Sequence, residues 1–77
     1  MTRGEYRVGI TFNPGGNEMV NKIKRAAADL IDLVDTMTPD TQDERSSEVS
    51  RLLALAATHI EDAAMWAVKA ATKPEKG

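Results

Sequence analysis

The central part of the chain places apolar residues three and four positions apart, in strict alternation. They fall at Val20, Ile23, Ala27, Leu30, Val34 and Met37. This spacing predicts an amphipathic helix one over residues 17–38, because residues three and four apart share one helical face. Asn17 is a suitable N-cap, and Pro39 ends the helix because the residue before a proline avoids helical backbone angles.

The same spacing continues after this proline and predicts a longer helix two over residues 41–73. Its apolar positions are Val49, Leu53, Ala56, Ile60, Ala63, Ala67 and Ala70. Thr41 and Glu44 have the spacing of a capping box, and Pro74 stops the helix before a tail at residues 74–77. Leu52, Leu55, Met65 and Trp66 widen the apolar arc beyond what helix one can cover, so the arc requires burial against something else.

The N-terminal segment alternates apolar and other residues, at Tyr6, Val8, Ile10 and Phe12. A period of two is typical of extended backbone, and Pro14, Gly15 and Gly16 mark a turn after it. We therefore expect an extended arm and turn over residues 1–16. The expected fold is all-α: a single domain over residues 1–77, built on an antiparallel two-helix hairpin that assembles into a homo-oligomer.

Composition narrows the classes of protein that the chain can represent. The 77 residues include no Cys and one His, with Lys+Arg 10 against Asp+Glu 12. Disulfides and Cys-ligated zinc are excluded, and a core this small usually needs a partner subunit. The excess of acidic residues argues against duplex nucleic acid as a partner. The lack of a long apolar run argues against a membrane-spanning segment and a signal peptide, so we expect a cytosolic protein.

The predicted hairpin separates the charges between its two ends. The turn end carries acidic residues and one base, Arg45. The open end collects the bases together with Phe12, Trp66 and the Gly-rich turn; these bases are Arg3, Arg7, Lys22, Lys24, Arg25, Lys69 and Lys73. Such an end suits a small anionic ligand that carries an aromatic base, such as a nucleotide. Taken singly, each of these Lys and Arg residues is as readily explained as part of a solvated surface.

Catalysis has little support in the sequence. His59 has no Ser or Cys nucleophile at a recognisable spacing, and its neighbours Glu61 and Asp62 indicate a solvated helix surface. Asp29 and Asp32 share a helical face, but no Glu-x-x-His motif accompanies them. We therefore expect a protein that is not an enzyme, with no metal and no cofactor.

Four short motifs, in this order, resemble a known family. They are Phe12-Asn13-Pro14, Ile23-Lys24, Thr38-Pro39 and the segment Ala64-Met65-Trp66-Ala67-Val68-Lys69-Ala70. The chain is similar over residues 12–73 to the phage cyclic-nucleotide sponges of the anti-CBASS type, whose helical hairpin is shared with anti-Thoeris sponges. The resemblance implies a homo-oligomer that binds cyclic di- or trinucleotide messengers of bacterial immunity between its subunits. It also implies that the protein does not cut these messengers and that it acts in the cytoplasm of the infected host.

The resemblance also assigns roles to residues. Phe12 would stack on a base and Lys24 would hold a phosphate, although the family more often has Tyr at the aromatic position and Asn where this chain has Lys69. The Gly15-Gly16 turn also looks shorter than the family's. The full predicted ligand-binding set is Phe12, Asn13, Pro14, Lys24, Arg25, Arg45 and Lys69.

Two other functions stay open at this point. The first is a non-catalytic adaptor hairpin that binds a host or phage protein through the apolar arc of helix two. The second is a DNA-contacting transcriptional modulator, which the acidic balance disfavours. The sequence does not indicate which cyclic nucleotide is preferred or how many subunits assemble; it favours an interface over a pocket for Trp66.

Overall fold

The computed structural model describes residues 1–76 and contains three helices. They are α1 (Arg3–Val8), α2 (Glu18–Asp35) and α3 (Ser46–Ala71). The N-terminus of α2 lies beside the C-terminus of α3, where the Asn17 side-chain amide donates to the Ala71 carbonyl at 3.4 Å. The prediction of an all-α fold built on an antiparallel hairpin is confirmed.

The N-terminal segment is where the predicted fold is wrong: α1 is a helix, and no extended arm is present. Thr2 and Glu5 form a reciprocal capping box at its start, and Gly9 ends it in the left-handed conformation at φ 65°. These caps satisfy backbone groups that a short helix otherwise leaves unpaired. The alternation of Tyr6 with Val8 did not mark a buried face, since Tyr6 is 77% exposed.

Helix α1 lies directly against α2, with Gly4 at the contact. The Gly4 N–H donates to Asp32 Oδ1 at 2.8 Å. A Cβ atom at this position would lie 2.2 Å from the Ala28 carbonyl oxygen, so only glycine allows the approach. Ion pairs on either side join Arg3 to Asp35 at 3.2 Å and Glu5 to Arg25 at 2.9 Å.

The ends of the long helices differ from the predicted ones. Asn17 caps α2 as predicted, with its side chain accepting from the Val20 N–H, but α2 ends at Asp35. Helix α3 begins at Ser46, not at the predicted capping box of Thr41 and Glu44, and ends at Ala71. Asp40 and Asp43 accept backbone N–H bonds two residues ahead, from Gln42 and Arg45. These local bonds favour turns over a first helical turn.

The chain buries little apolar surface of its own. The core consists of six side chains: Val20, Ala28, Ile31, Val34, Ala57 and Ala64. Large apolar side chains remain exposed on both long helices, among them Leu30, Leu33, Leu52, Leu55, Met65 and Trp66. The wide apolar arc predicted for α3 is therefore not covered within the chain. Within residues 1–76, no helix has the length and apolar character needed to cross a bilayer.

Acid should weaken the attachment of α1. The Thr2 backbone N–H and the Arg25 guanidinium both hydrogen-bond to the Glu5 carboxylate and lower its pKa from 4.5 to about 2. The ionised Glu5 carboxylate therefore stabilises the folded protein at any pH above its unfolded pKa of 4.5. This stability is lost as the pH falls through the folded pKa of about 2, because the carboxylate is then protonated. We expect the melting temperature to fall between pH 5 and pH 2, and to fall less steeply in Glu5→Gln. Parallel slopes in the two proteins would contradict this.

Candidate functional site

Lys24 is the buried charged residue at the centre of the candidate site. It lies on α2, is 8% exposed, and its ammonium donates to the carbonyl oxygens of Gly9, at 2.9 Å, and Phe12. The ammonium also lies 5.4 Å from the centroid of the Phe12 ring. A buried ammonium is stable only when carbonyls or π faces replace its water, and here both do. Lys24 thus fixes the loop between α1 and α2 in place.

The loop presents Phe12 to solvent. Phe12 is 72% exposed although its backbone carbonyl accepts a hydrogen bond from Lys24. An aromatic side chain with an anchored backbone and an open face loses little conformational entropy when a planar group stacks on it. Phe12 is therefore suited to stacking on a base.

Asn13 orders the turn that follows. Its side-chain amide donates to the Asn17 carbonyl at 2.8 Å and to Asn21 Oδ1 at 2.9 Å, while its Oδ1 accepts from the Asn17 N–H at 3.2 Å. Gly16 adopts a φ of 62°, which suits glycine in this turn. The turn containing Pro14 is therefore held by specific hydrogen bonds on both sides.

A cavity of about 610 Å³ opens beside this loop, which we call the Phe12 cavity. Four of the predicted site residues line it: Phe12, Asn13, Pro14 and Lys24. Val68, Thr72 and Lys73 line the opposite wall from the end of α3. The cavity therefore combines an aromatic face, backbone and amide polar groups, and cationic side chains.

A second cavity, of about 630 Å³, adjoins the first and shares Lys24, Val68 and Thr72 with it. We call it the Arg7 cavity. Arg7 lines it and is held by Glu61 at 3.3 Å and by the Thr58 hydroxyl at 3.4 Å. Lys69 lies on the same wall, with its ammonium 5.5 Å from the Trp66 ring centroid. Lys69 is thus close to the Phe12 cavity but not in it.

Two predicted site residues lie elsewhere. Arg25 pairs with Glu5 at 2.9 Å and Asp29 at 2.8 Å and lines a different groove. These two carboxylates raise the pKa of Arg25. Arg45 pairs with Asp43 at 2.8 Å in the turn between α2 and α3, at the other end of the hairpin from Phe12. The structure does not bring either residue together with Phe12 and Lys24.

Part of the site was not predicted from the sequence. The carbonyls of Gly9 and Phe12 were not expected as partners of Lys24, and Val68 and Thr72 were not expected to form a wall that both cavities share. The spacing of Ala64, Val68 and Thr72 at four residues is the signal that places them on one side of α3 and its C-cap, which is Thr72. No sequence pattern indicated the two carbonyls, because their position depends on α1 being a helix. Within residues 1–76, no cluster of three or more His, Asp or Glu side chains could hold a metal ion.

Comparison with known proteins identifies the family. Residues 5–72 match the model of the Acb2/Tad1 hairpin domain, which covers α1 from Glu5, the Phe12 loop, α2 and all of α3. The chain belongs to the Acb2/Tad1 hairpin family. This is the anti-CBASS and anti-Thoeris family of phage cyclic-nucleotide sponges that the motifs resemble. No curated protein and no solved structure gave a significant match to the chain.

This Acb2/Tad1 chain carries Phe12, Asn13, Pro14, Lys24 and Lys69 inside the matched region. Lys73, which completes the wall of the Phe12 cavity, lies just beyond it. The aromatic face and the buried lysine therefore both belong to the segment that defines the family.

The contacts of Lys24 predict a structural effect of its loss. In Lys24→Met, two carbonyls lose their donor, and an unpaired buried polar group costs about 1–3 kcal/mol. We expect faster amide hydrogen exchange over residues 9–13. Lys22→Met is the matched control, because Lys22 is exposed on the same helix and should change nothing. Equal exchange in the two variants would contradict the anchoring role.

Proposed function

We propose that this protein binds and sequesters cyclic oligonucleotide immune messengers without cleaving them, so that bacterial anti-phage effectors are not activated. The observation that carries the proposal is the open face of Phe12, anchored by Lys24 beside a cavity with cationic walls. Membership of a family of phage cyclic-nucleotide sponges supports it.

The cavities suggest how a ring ligand is recognised. A base would stack on Phe12, contributing about 1–3 kcal/mol. A phosphate would lie between the loop and α3, within reach of Lys73 and of the remaining N–H of Lys24. Lys69 and Arg7 would extend the positive wall toward the Arg7 cavity, where a second phosphate of the ring could be held. Charge-assisted hydrogen bonds of this kind are among the stronger polar contacts.

The proposed function does not include catalysis. The residues that line the two cavities include no Cys and no His, and their one carboxylate, Glu61, is paired with Arg7. His59 lies instead beside the apolar residues of a third groove. In this proposal the polar groups of the site bind a ring, and none of them activates water or a hydroxyl. We propose no metal and no cofactor.

Self-association is part of the proposal. The chain leaves more large apolar side chains outside than inside its core. A cyclic dinucleotide has two bases and two phosphates related by a two-fold axis, so two copies of Phe12 and Lys24 across a symmetric interface would match it. A homo-oligomer, with a hexamer as one candidate size, would present several such sites in the cytoplasm of the infected bacterium. Duplex nucleic acid and membranes are not among the proposed partners.

Calorimetric titration with a panel of cyclic di- and trinucleotides tests the proposal. The protein is then denatured by heat and the released nucleotide is analysed by chromatography. Tight binding with recovery of the intact ring supports sequestration. Recovery of a linear nucleotide would make the protein an enzyme, and the absence of binding to every ring would refute the proposal.

The apolar groove between α2 and α3 favours one other function. Ile23, Ala27 and Leu30 of α2 face Ile60, Ala63 and Ala67 of α3 along it. Such a surface also suits an adaptor that binds a host or phage protein. A chain that binds no cyclic nucleotide but captures one defined protein, and loses it on Leu30→Glu substitution, would establish this second function.

A further inference from the structure

The Arg7 cavity has a carboxylate in its cationic wall. Among residues 1–76, Glu61 supplies the one carboxylate that lines either cavity. Arg7 reaches it from α1: its Nε donates to Glu61 Oε1 at 3.3 Å, and a terminal nitrogen donates to the Thr58 hydroxyl at 3.4 Å. Both side chains of the ion pair are partly buried, with 21% of Arg7 and 33% of Glu61 exposed. Salt screens such a pair less than an exposed one, so Glu61 cancels much of the charge of Arg7.

The lysines of the two cavities keep their charge. Within residues 1–76, no ion pair is formed by Lys24, Lys69 or Lys73. Lys24 donates to neutral carbonyl oxygens, and Lys69 lies over the Trp66 ring. Carbonyls and π faces replace the water of an ammonium group without neutralising it. The positive potential of the cavities therefore comes from the lysines, while Arg7 contributes hydrogen-bond donors and little net charge.

The Glu61 carboxylate acts on every anion that enters the cavity. Its repulsion grows with the charge of the anion, because the Coulomb energy is proportional to the product of the two charges. A phosphodiester of a cyclic nucleotide carries a single negative charge, whereas a terminal phosphate carries about −1.5 to −2 near pH 7. Each further phosphate of a nucleoside di- or triphosphate adds to this charge. Glu61 therefore disfavours terminal phosphates more than it disfavours the phosphates of a ring.

We infer that Glu61 is a specificity residue: by cancelling the charge of Arg7, it limits the Arg7 cavity to phosphodiesters and excludes nucleoside di- and triphosphates. This inference rests on the proposed function and names the ligands that the same site rejects. Arg7 can still donate to a ring, because a guanidinium has five N–H groups. Glu61 and Thr58 accept from two of them.

Stacking on Phe12 does not provide this discrimination. Every base has a π face, so the base of a nucleoside triphosphate can stack as well as the base of a ring. Specificity is the difference between two affinities, and a group that repels the competitor is one way to produce it. Among the side chains of residues 1–76 that line the two cavities, Glu61 is the one with a negative charge.

Glu61→Gln separates the charge of Glu61 from its hold on Arg7, since glutamine keeps a carbonyl oxygen that can accept from the guanidinium. Calorimetric titration compares a cyclic dinucleotide, ATP and inorganic triphosphate, without Mg²⁺ because this ion binds phosphates. We expect ATP and triphosphate to bind about tenfold more tightly than to the wild type, as for the loss of one repulsive charge a few ångströms away. The less charged ring should gain less.

Glu48→Gln is the matched control. It removes the same charge from the same helix, but Glu48 pairs with Arg51 and lines neither cavity. It lies about 20 Å from Glu61 along the helix, which is beyond the screening length of about 8 Å at physiological salt. Circular dichroism checks the helix content of both variants. If Glu61→Gln binds ATP no more tightly than Glu48→Gln, undetectable binding by both included, the inference is wrong; an equal gain for the ring and for ATP would also overturn it.

A double variant tests whether the lost charge acts through Arg7. Arg7→Gln combined with Glu61→Gln replaces an ion pair by a neutral pair, so the net charge of the wall returns to that of the wild type. We expect the affinity for inorganic triphosphate to return close to the wild-type value. A double variant that keeps the full gain of Glu61→Gln would overturn the inference.

Inorganic triphosphate also separates this inference from the proposed function, because it has no base to stack on Phe12. A gain for triphosphate in Glu61→Gln, with no cyclic nucleotide bound by the wild type, would support the charge role of Glu61 and refute sequestration. Tight binding of a ring by the wild type, with no gain for triphosphate in Glu61→Gln, would refute the specificity role and leave sequestration standing.

Discussion

Replacing Phe12 by alanine should abolish most of the affinity for a cyclic nucleotide while leaving the fold intact. The ring is exposed and contributes little to the core, so its loss removes a stacking surface and not a packing contact. Each stacked base contributes about 1–3 kcal/mol, which corresponds to a Kd roughly 5- to 150-fold weaker, and a ring held by two copies of Phe12 would lose this twice. Calorimetric titration of the variant measures the change.

Tyr6→Ala is the matched control for this prediction. Tyr6 is as exposed as Phe12 but lies on α1, outside both cavities, so its loss should leave affinity unchanged. Phe12→Tyr should retain binding because the π face is kept. If Phe12→Ala and Tyr6→Ala bind equally well, the stacking role of Phe12 is wrong.

Replacing Gly4 by alanine should destabilise the protein by forcing α1 away from α2. The new methyl group would meet the Ala28 carbonyl oxygen at 2.2 Å, and this atom belongs to a helix backbone that cannot move aside. Overpacking of this kind costs about 1–3 kcal/mol, which outweighs the gain of about 1 kcal/mol in helix propensity. A domain of this size loses roughly 4–8 °C in Tm per kcal/mol.

Gly15→Ala controls for the general effect of removing a glycine. Its added methyl group meets no atom within 4 Å and its φ is not positive, so we expect no loss of stability. Thermal unfolding followed by circular dichroism at one protein concentration compares the two variants. A Gly4→Ala protein as stable as Gly15→Ala would contradict the close approach of α1 to α2.

Gly4 and Phe12 are connected through the loop between α1 and α2. Phe12 reaches the cavity because Lys24 holds the carbonyls of Gly9 and Phe12, and Gly9 is positioned by the end of α1. A displaced α1 in Gly4→Ala should therefore also weaken nucleotide binding, although Gly4 lines neither cavity. The docking of α1 and the presentation of Phe12 are parts of one arrangement.

Most of the hairpin was predictable from the sequence because it depends on local patterns. Apolar residues at intervals of three and four predicted α2 as a helix, and the Asn17 side chain caps it within three residues. Its buried face was not predicted correctly, because Lys24, Ala28 and Ile31 are buried. Leu30, which belongs to the predicted apolar row, is exposed. The motifs around Phe12, Lys24 and Trp66 were sufficient to indicate the family, which the match over residues 5–72 confirms. Each of these signals lies within one helix or one turn.

The rest was decided by contacts between residues far apart in the chain. The alternation that begins at Tyr6 is typical of a strand, but residues 3–8 form a helix. The Thr2–Glu5 capping box and the contact of Gly4 with Ala28 stabilise this helix against α2. Tertiary structure also gave Lys24 two carbonyl partners, and it left Arg25 and Arg45 in ion pairs away from Phe12. A sequence pattern records which residues share a helical face, whereas the partner of a buried charge depends on how separate elements meet.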